Sequence, residues 1–261
     1  MATPLPPPSV TIAPPNGPAP EPRKLPAGYG ASWWSEGWRV FSAAPGVWIA
    51  TFVILFVLMV LMLMVPIIGT LAQSLLMPVF VGGLMLGCNA LARGEPLRIG
   101  HLFDGFGSGR FGALVIIGGV VLAASIVLGL ICLAVIFATI GIAGLTAIAS
   151  MTDPTQISIA TLMSFGAAFF IVFLVGLVGT SLVAMAFWFA PALVVLNGEE
   201  PIAAMRRSFH ACWRNLGAML VYGLIYIGLA IVATIPLGLG WLVLAPMFVG
   251  SCYASWRTIF A

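Results

Sequence analysis

Residues Asn197–Gly217 read NGEEPIAAMRRSFHACWRNLG. They hold two acids, three arginines and one of the two histidines, and the 42 residues that follow Arg214, up to Trp256, carry no charge. Four stretches, 40–92, 111–152, 154–198 and 215–256, contain no Asp, Glu, Lys or Arg. A membrane-spanning helix needs about 20 apolar residues, so the first and last stretches can each hold two helices, and the middle two can hold one or two. The 261-residue chain is 62% hydrophobic and 7% charged, whereas a soluble domain carries roughly 25% charged residues. The fold class that follows is all-α, a polytopic membrane protein.

Glycines 46, 112 and 217 each open an apolar run, and each is preceded by a polar, aromatic-bearing lead-in of 16 residues. VPIIG (Val65–Gly69) matches IPLGLG (Ile235–Gly240). LLMPVFVGG (Leu75–Gly83) matches LAPMFVGS (Leu244–Ser251), and WFAPALVV (Trp188–Val195) is a third version. The expected layout is three tandem units, near 30–93, 94–197 and 198–261, each a lead-in followed by a helix pair. Together they form a single transmembrane domain, 30–261. Spans are expected near 47–66, 70–92, 111–137, 163–192, 216–235 and 237–256. The alternative is eight spans, with each middle stretch divided in two. Residues 141–157 read as a loop on the far side. Pro66 and Pro236 are expected to shape hairpin turns, and Pro78, Pro191 and Pro246 to fall inside second helices, where a proline kinks the axis.

All ten basic residues lie in the tail, the lead-ins or the C-terminus, and Asp153 stands alone between the two middle runs. By the bias of Lys and Arg toward the cytoplasm, both termini are expected inside, in a bacterial inner membrane. Residues 1–29 hold ten of the nineteen prolines. They lack the charged start and apolar core of a signal peptide and read as an extended, disordered cytoplasmic tail.

From Pro201, the apolar residues Ile202, Met205, Phe209, Cys212, Trp213 and Leu216 have helical spacing. In the first lead-in Trp33, Trp34, Gly37, Trp38 and Phe41 share a face. Amphipathic helices of this kind lie in the membrane interface with indole rings at the headgroup level. The expected lipid or partner interface is therefore Trp33, Trp34, Trp38, Arg39, Arg98, Arg110, Arg206, Arg207, Trp213 and Arg214.

No catalytic motif, cofactor fingerprint or metal-ligand spacing is present, and nothing in the charge pattern points to nucleic acid. Cys88, Cys132, Cys212 and Cys252 read as small apolar residues. His101 and His210 read as exposed interfacial residues, and Asn89 as a helix cap. Gly83 and Gly87 permit close helix contact. The spans hold no firmly placed acid, base or histidine of the sort an ion-coupled transporter uses. The function expected is a non-enzymatic scaffold or accessory factor. The alternative is a passive carrier of an apolar or lipid-like molecule through proline-kinked helices. No cofactor is expected; membrane lipid is the expected partner, with a protein partner at the cytoplasmic face as an addition.

RKLPAGYGASWWSEGWRVF (Arg23–Phe41), MAFWFAPALVV (Met185–Val195), NLGAMLVYGLIY (Asn215–Tyr226) and SCYASWRTIF (Ser251–Phe260) together resemble an uncharacterised family of proteobacterial inner-membrane proteins. The architecture is also similar to the membrane domain joined to some glycerophosphodiester phosphodiesterases. The resemblance implies an inner-membrane location and carries no catalytic residues.

Overall fold

The computed structural model describes residues 20–150 and 159–260. The first nineteen residues of the tail and Asp153 with its neighbours fall outside the described residues. The elements in chain order are α1 (Tyr29–Ala43), α2 (Pro45–Leu63), α3 (Ile68–Ala92), a 3-10 turn (Ile99–Phe103), α4 (Asp104–Gly107), α5 (Phe111–Ser150), α6 (Ile159–Phe187), α7 (Ala190–Asn197), α8 (Pro201–Arg214), α9 (Leu216–Thr234) and α10 (Trp241–Phe260). The protein is an all-α polytopic membrane protein.

Five helical segments are long and apolar enough to cross a membrane among the described residues: Pro45–Leu63, Ile68–Ala92, Phe111–Thr139, Gly166–Asn197 and Leu216–Thr234. The expected sixth, α10, is not among them. Its C-terminal half carries Ser251, Tyr253, Ser255, Trp256 and Arg257, and all but Arg257 are buried. A helix sheathed by other helices meets protein rather than lipid, so its sequence need not be uniformly apolar.

The chain forms two compact units. One comprises the residues up to Gly119 and those from Met185 onward; the other is Val120–Ala184. In the first, α1 lies along α10 and α9, and α10 also meets α2 and α3. Gly37 of α1 faces Gly250 of α10. A Cβ on Gly250 would stand 2.8 Å from the Val40 Cβ and 3.2 Å from the Gly37 Cα, so the two backbones touch only because both residues lack a side chain. In the second unit the helices run antiparallel, with Leu128 against Gly179 and Cys132 against Gly176.

Both hairpin turns place a residue of positive φ directly after the proline. Ile67 follows Pro66 with φ 64°, and Leu237 follows Pro236 with φ 55°. Ile67 has ψ −63°, and the N–H of Ile68 donates to the Pro66 carbonyl at 2.7 Å, a tight three-residue γ-turn. The turn after Pro236 is bonded differently: the Leu237 N–H donates to the Ile235 carbonyl at 2.9 Å and the Leu239 N–H to the Pro236 carbonyl at 3.1 Å.

The structure corrects several expectations. Residues 141–150 are not loop; they continue α5: no proline or charge interrupts the run, and an isolated glycine such as Gly141 or Gly144 is tolerated inside a helix. Neither middle stretch divides into two spanning helices. Pro191 is not inside a helix. It opens α7 in the first turn, where a missing N–H costs nothing. The chain breaks at Trp188–Phe189, and Ser208 of α8 closes the break: its hydroxyl accepts the Phe189 N–H at 2.9 Å and donates to the Met185 carbonyl at 2.7 Å. Pro78 and Pro246 do sit inside α3 and α10.

Candidate functional site

The first lead-in, the segment before it and the ends of α3 and α7 meet around the C-terminal half of α10. Tyr253 donates its hydroxyl to Asn89 Oδ1 of α3 at 3.0 Å, and Trp256 Nε1 donates to Asn197 Oδ1 at the end of α7 at 3.1 Å. Trp33 Nε1 donates to Thr258 Oγ1 at 2.9 Å, and the Arg23 N–H donates to the Ile259 carbonyl at 3.0 Å. Asn89 therefore ties two helices together rather than capping one. These polar side chains are tolerated inside an apolar bundle because each finds a partner.

Residues 20–28 belong to this end and are not a free tail. Asn215, 2% exposed, closes α8 and opens α9. Its Oδ1 accepts the Leu25 N–H at 2.8 Å, and its Nδ2 donates to the Arg23 and Ala211 carbonyls, both at 2.9 Å. Asparagine at the head of an apolar run was the available sequence signal; that its partner lay in the tail was not visible.

The ten expected interface residues separate into two sets. Trp33 and Trp34 are 1% and 5% exposed. Trp34 stacks on Tyr222 with ring centroids 4.7 Å apart and donates Nε1 to the Tyr222 carbonyl at 3.1 Å. These indoles fill the core between α1, α9 and α10 instead of reaching headgroups. The face that looked lipid-seeking is met by protein, because glycines 30 and 37 beside it admit α9 and α10. Arg207 is half-buried and ion-paired with buried Glu199. Arg110 is half-buried with its guanidinium over Gly198; a Cβ there would lie 2.8 Å from Nη2.

Trp38, Arg39, Arg98, Arg206, Trp213 and Arg214 are exposed. On α8 the buried stripe is Pro201, Ala204, Met205, Ser208, Ala211 and Cys212. It is rotated from the one the bulky residues suggest, because small residues allow closer approach. Ile202 and Trp213 are left exposed and Phe209 half-exposed, on the stripe that also carries Arg206. Phe209 and Trp213 stack at 6.2 Å. In the second lead-in Phe103, Phe106 and Phe111 are exposed in a contiguous ring cluster, with Phe106 and Phe111 stacked at 5.5 Å. Arg98 of the same lead-in is exposed.

His101 is buried, contrary to expectation, and its Nδ1 accepts the Arg98 N–H at 3.0 Å while Nε2 lies 3.9 Å from Asp104. It packs on Gly87, and Gly83 meets the carbonyls of His101 and Leu102; the paired glycines thus serve contact within this unit. His210 is exposed. Glu95 is engaged with Arg93 at 2.7 Å, which holds its carboxyl below the usual range. Sequence reading missed Glu36 and Arg257. Glu36 takes Arg39 Nη1 at 2.8 Å and stands 3.8 Å from Arg257 Nη2.

No protein-family model matches the chain, and no solved structure matches it. The chain is 30% identical over 206 residues to a probable inner membrane protein of Burkholderia thailandensis, a match that covers 77% of this chain and 73% of that one. With an all-helical fold, five segments able to span a bilayer and this kinship, the chain belongs to the family of that probable inner membrane protein.

Proposed function

We propose that the protein is a non-enzymatic scaffold or accessory factor whose arginine-bearing end gathers anionic lipid at the cytoplasmic face of the inner membrane. One observation carries this reading: Arg206, Ile202, Phe209 and Trp213 share the outward stripe of α8. Arg214 is exposed beside that stripe, and Trp38, Arg39 and Arg98 are exposed on neighbouring lead-ins. Cations flanked by apolar and indole groups match the headgroup boundary, and each cation near an anionic leaflet contributes about 1 kcal/mol.

In this reading α10 is the sixth span, both termini are cytoplasmic and the chain is three repeated units. The repeating order of lead-in and helices and the positive φ that follows both Pro66 and Pro236 support it. Glu95, His101 and Glu199 are each turned to a different neighbour, which favours a non-enzymatic role. The carrier reading draws less support: Pro78 and Pro246 are buried in packed helices.

The test is reconstitution of the full chain into vesicles of mixed zwitterionic and dansyl-labelled anionic phospholipid, reading tryptophan-to-dansyl transfer as enrichment around the protein. Arg206→Gln with Arg214→Gln should bring enrichment down toward the bulk fraction. Unchanged enrichment would remove the basis of the proposal.

A further inference from the structure

Between α1, α3 and α10 lies a cavity of about 210 Å³ whose lining includes Glu36, Arg39, Cys88, Leu91, Tyr253 and Arg257. It sits at the arginine-bearing end, one residue from Arg93. Glu36 reaches both guanidinium groups, at 2.8 Å to Arg39 and 3.8 Å to Arg257, and so sets their spacing. Each guanidinium has five N–H donors in a rigid fork, and one carboxylate cannot occupy ten. The Tyr253 hydroxyl is already directed to Asn89, which fixes one wall. The remaining wall is apolar, with Val40 and Leu91 prominent.

The charge count defines the ligand. Two guanidinium groups and one carboxylate leave a single positive charge, which one monoanion neutralises. Tetrahedral oxyanions match the arginine fork, and an apolar wall beside the charges suits a molecule with an apolar body. We propose that this cavity seats the phosphodiester of one membrane phospholipid between Arg39 and Arg257. The proposal rests on the lipid-gathering reading of the same end and adds a discrete site of one-to-one stoichiometry.

The experiment is native mass spectrometry of the full chain in detergent with added phosphatidylglycerol, and in parallel with dimethyl phosphate as a free phosphodiester. The wild type should retain one phosphatidylglycerol. Arg39→Gln and Arg257→Gln should each weaken retention about tenfold, the loss expected for a charge-assisted hydrogen bond, and Arg39→Lys should restore part of it. Glu36→Gln should bind as tightly as the wild type or more tightly, because the cavity gains positive charge. The Arg39 side chain is 75% exposed, so its replacement leaves the fold in place, as helicity and monodispersity will report.

Retention unmoved in both arginine variants overturns the proposal, as does a Glu36→Gln loss equal to that of Arg39→Gln. Binding of dimethyl phosphate but not phosphatidylglycerol, with the same arginine dependence, overturns the lipid assignment. The two readings fail separately. Arg206→Gln with Arg214→Gln should leave the retained lipid in place. Loss of vesicle enrichment with no arginine-dependent retained lipid would sink the cavity proposal alone.

Discussion

The side-chain oxygen of Asn215 accepts the backbone N–H of Leu25 at 2.8 Å across 190 positions of sequence. With its two donor contacts it fastens the chain before α1 to the junction of α8 and α9. Asn215→Ala leaves the Leu25 N–H and two carbonyls without these partners, at roughly 2 kcal/mol for buried groups. Limited proteolysis should cut between residues 20 and 28 faster in the variant, and hydrogen exchange at Leu25 should rise.

The crossing of α1 on α10 is equally specific. In Gly37→Ala the new methyl would meet the Met247 carbonyl and stand 3.1 Å from Ser251 Cβ. Backbone cannot yield as a side-chain tip does, so a loss of about 1–3 kcal/mol is expected. Gly46→Ala, with nothing within 4 Å of its Cβ, should melt in detergent like the wild type. Equal melting temperatures for the two variants would show that this contact does not determine stability.

Neighbouring arginines should behave differently. Arg207→Gln removes the ion pair between half-buried Arg207 and buried Glu199, at a cost of about 1–3 kcal/mol. Arg206→Gln changes an exposed cation and should leave the melting temperature within about 0.5 kcal/mol equivalent. Thermal unfolding of both variants reads the contrast. Exposure likewise makes Arg206 and Arg214 the sites for lipid tests, because their replacement is expected to leave the fold in place.

Burial pushes the Cys212 thiol from 9.0 up to about 12. At pH 8 about one molecule in ten thousand then carries the thiolate, the form that reacts. Maleimide should leave Cys212 unmodified in the folded protein and modify it in denaturant. Since the folded pKa is raised, the stability tied to this group is complete below pH 9.0 and is lost as pH climbs toward about 12. Cys212→Ala should flatten that part of the alkaline stability profile.

Much of this architecture was legible because lipid imposes coarse rules. The apolar runs from Pro45, Ile68, Phe111 and Leu216 could only be helices. Proline at 66, 201 and 236 marked turns or helix starts where the structure has them. What failed depended on who covers a face. Trp33 and Trp34 have the spacing of lipid-facing indoles, yet Gly30 and Gly37 let helices dock over them, and periodicity alone does not name the occupant. The α8 stripe was misplaced for the same reason: close packing favours Ala204, Ser208 and Ala211 over the bulkier Ile202 and Trp213. The roles of Asn89, Asn197 and Asn215 needed partners 59 to 192 positions away. The Glu36–Arg257 pair, which frames the cavity, was likewise beyond any local pattern.

In the proposed arrangement the cations of all three lead-ins are predicted to face one aqueous compartment, the cytoplasm. The most direct measurement is single-cysteine labelling in a background with the four native cysteines replaced by alanine. Cysteines in place of Arg39, Arg98 and Arg214, each exposed in the fold, would be probed with a membrane-impermeant maleimide in intact cells and in inside-out vesicles. All three are predicted to be silent in cells and labelled in inside-out vesicles. Any one of them labelled in intact cells while another stays protected would contradict the account.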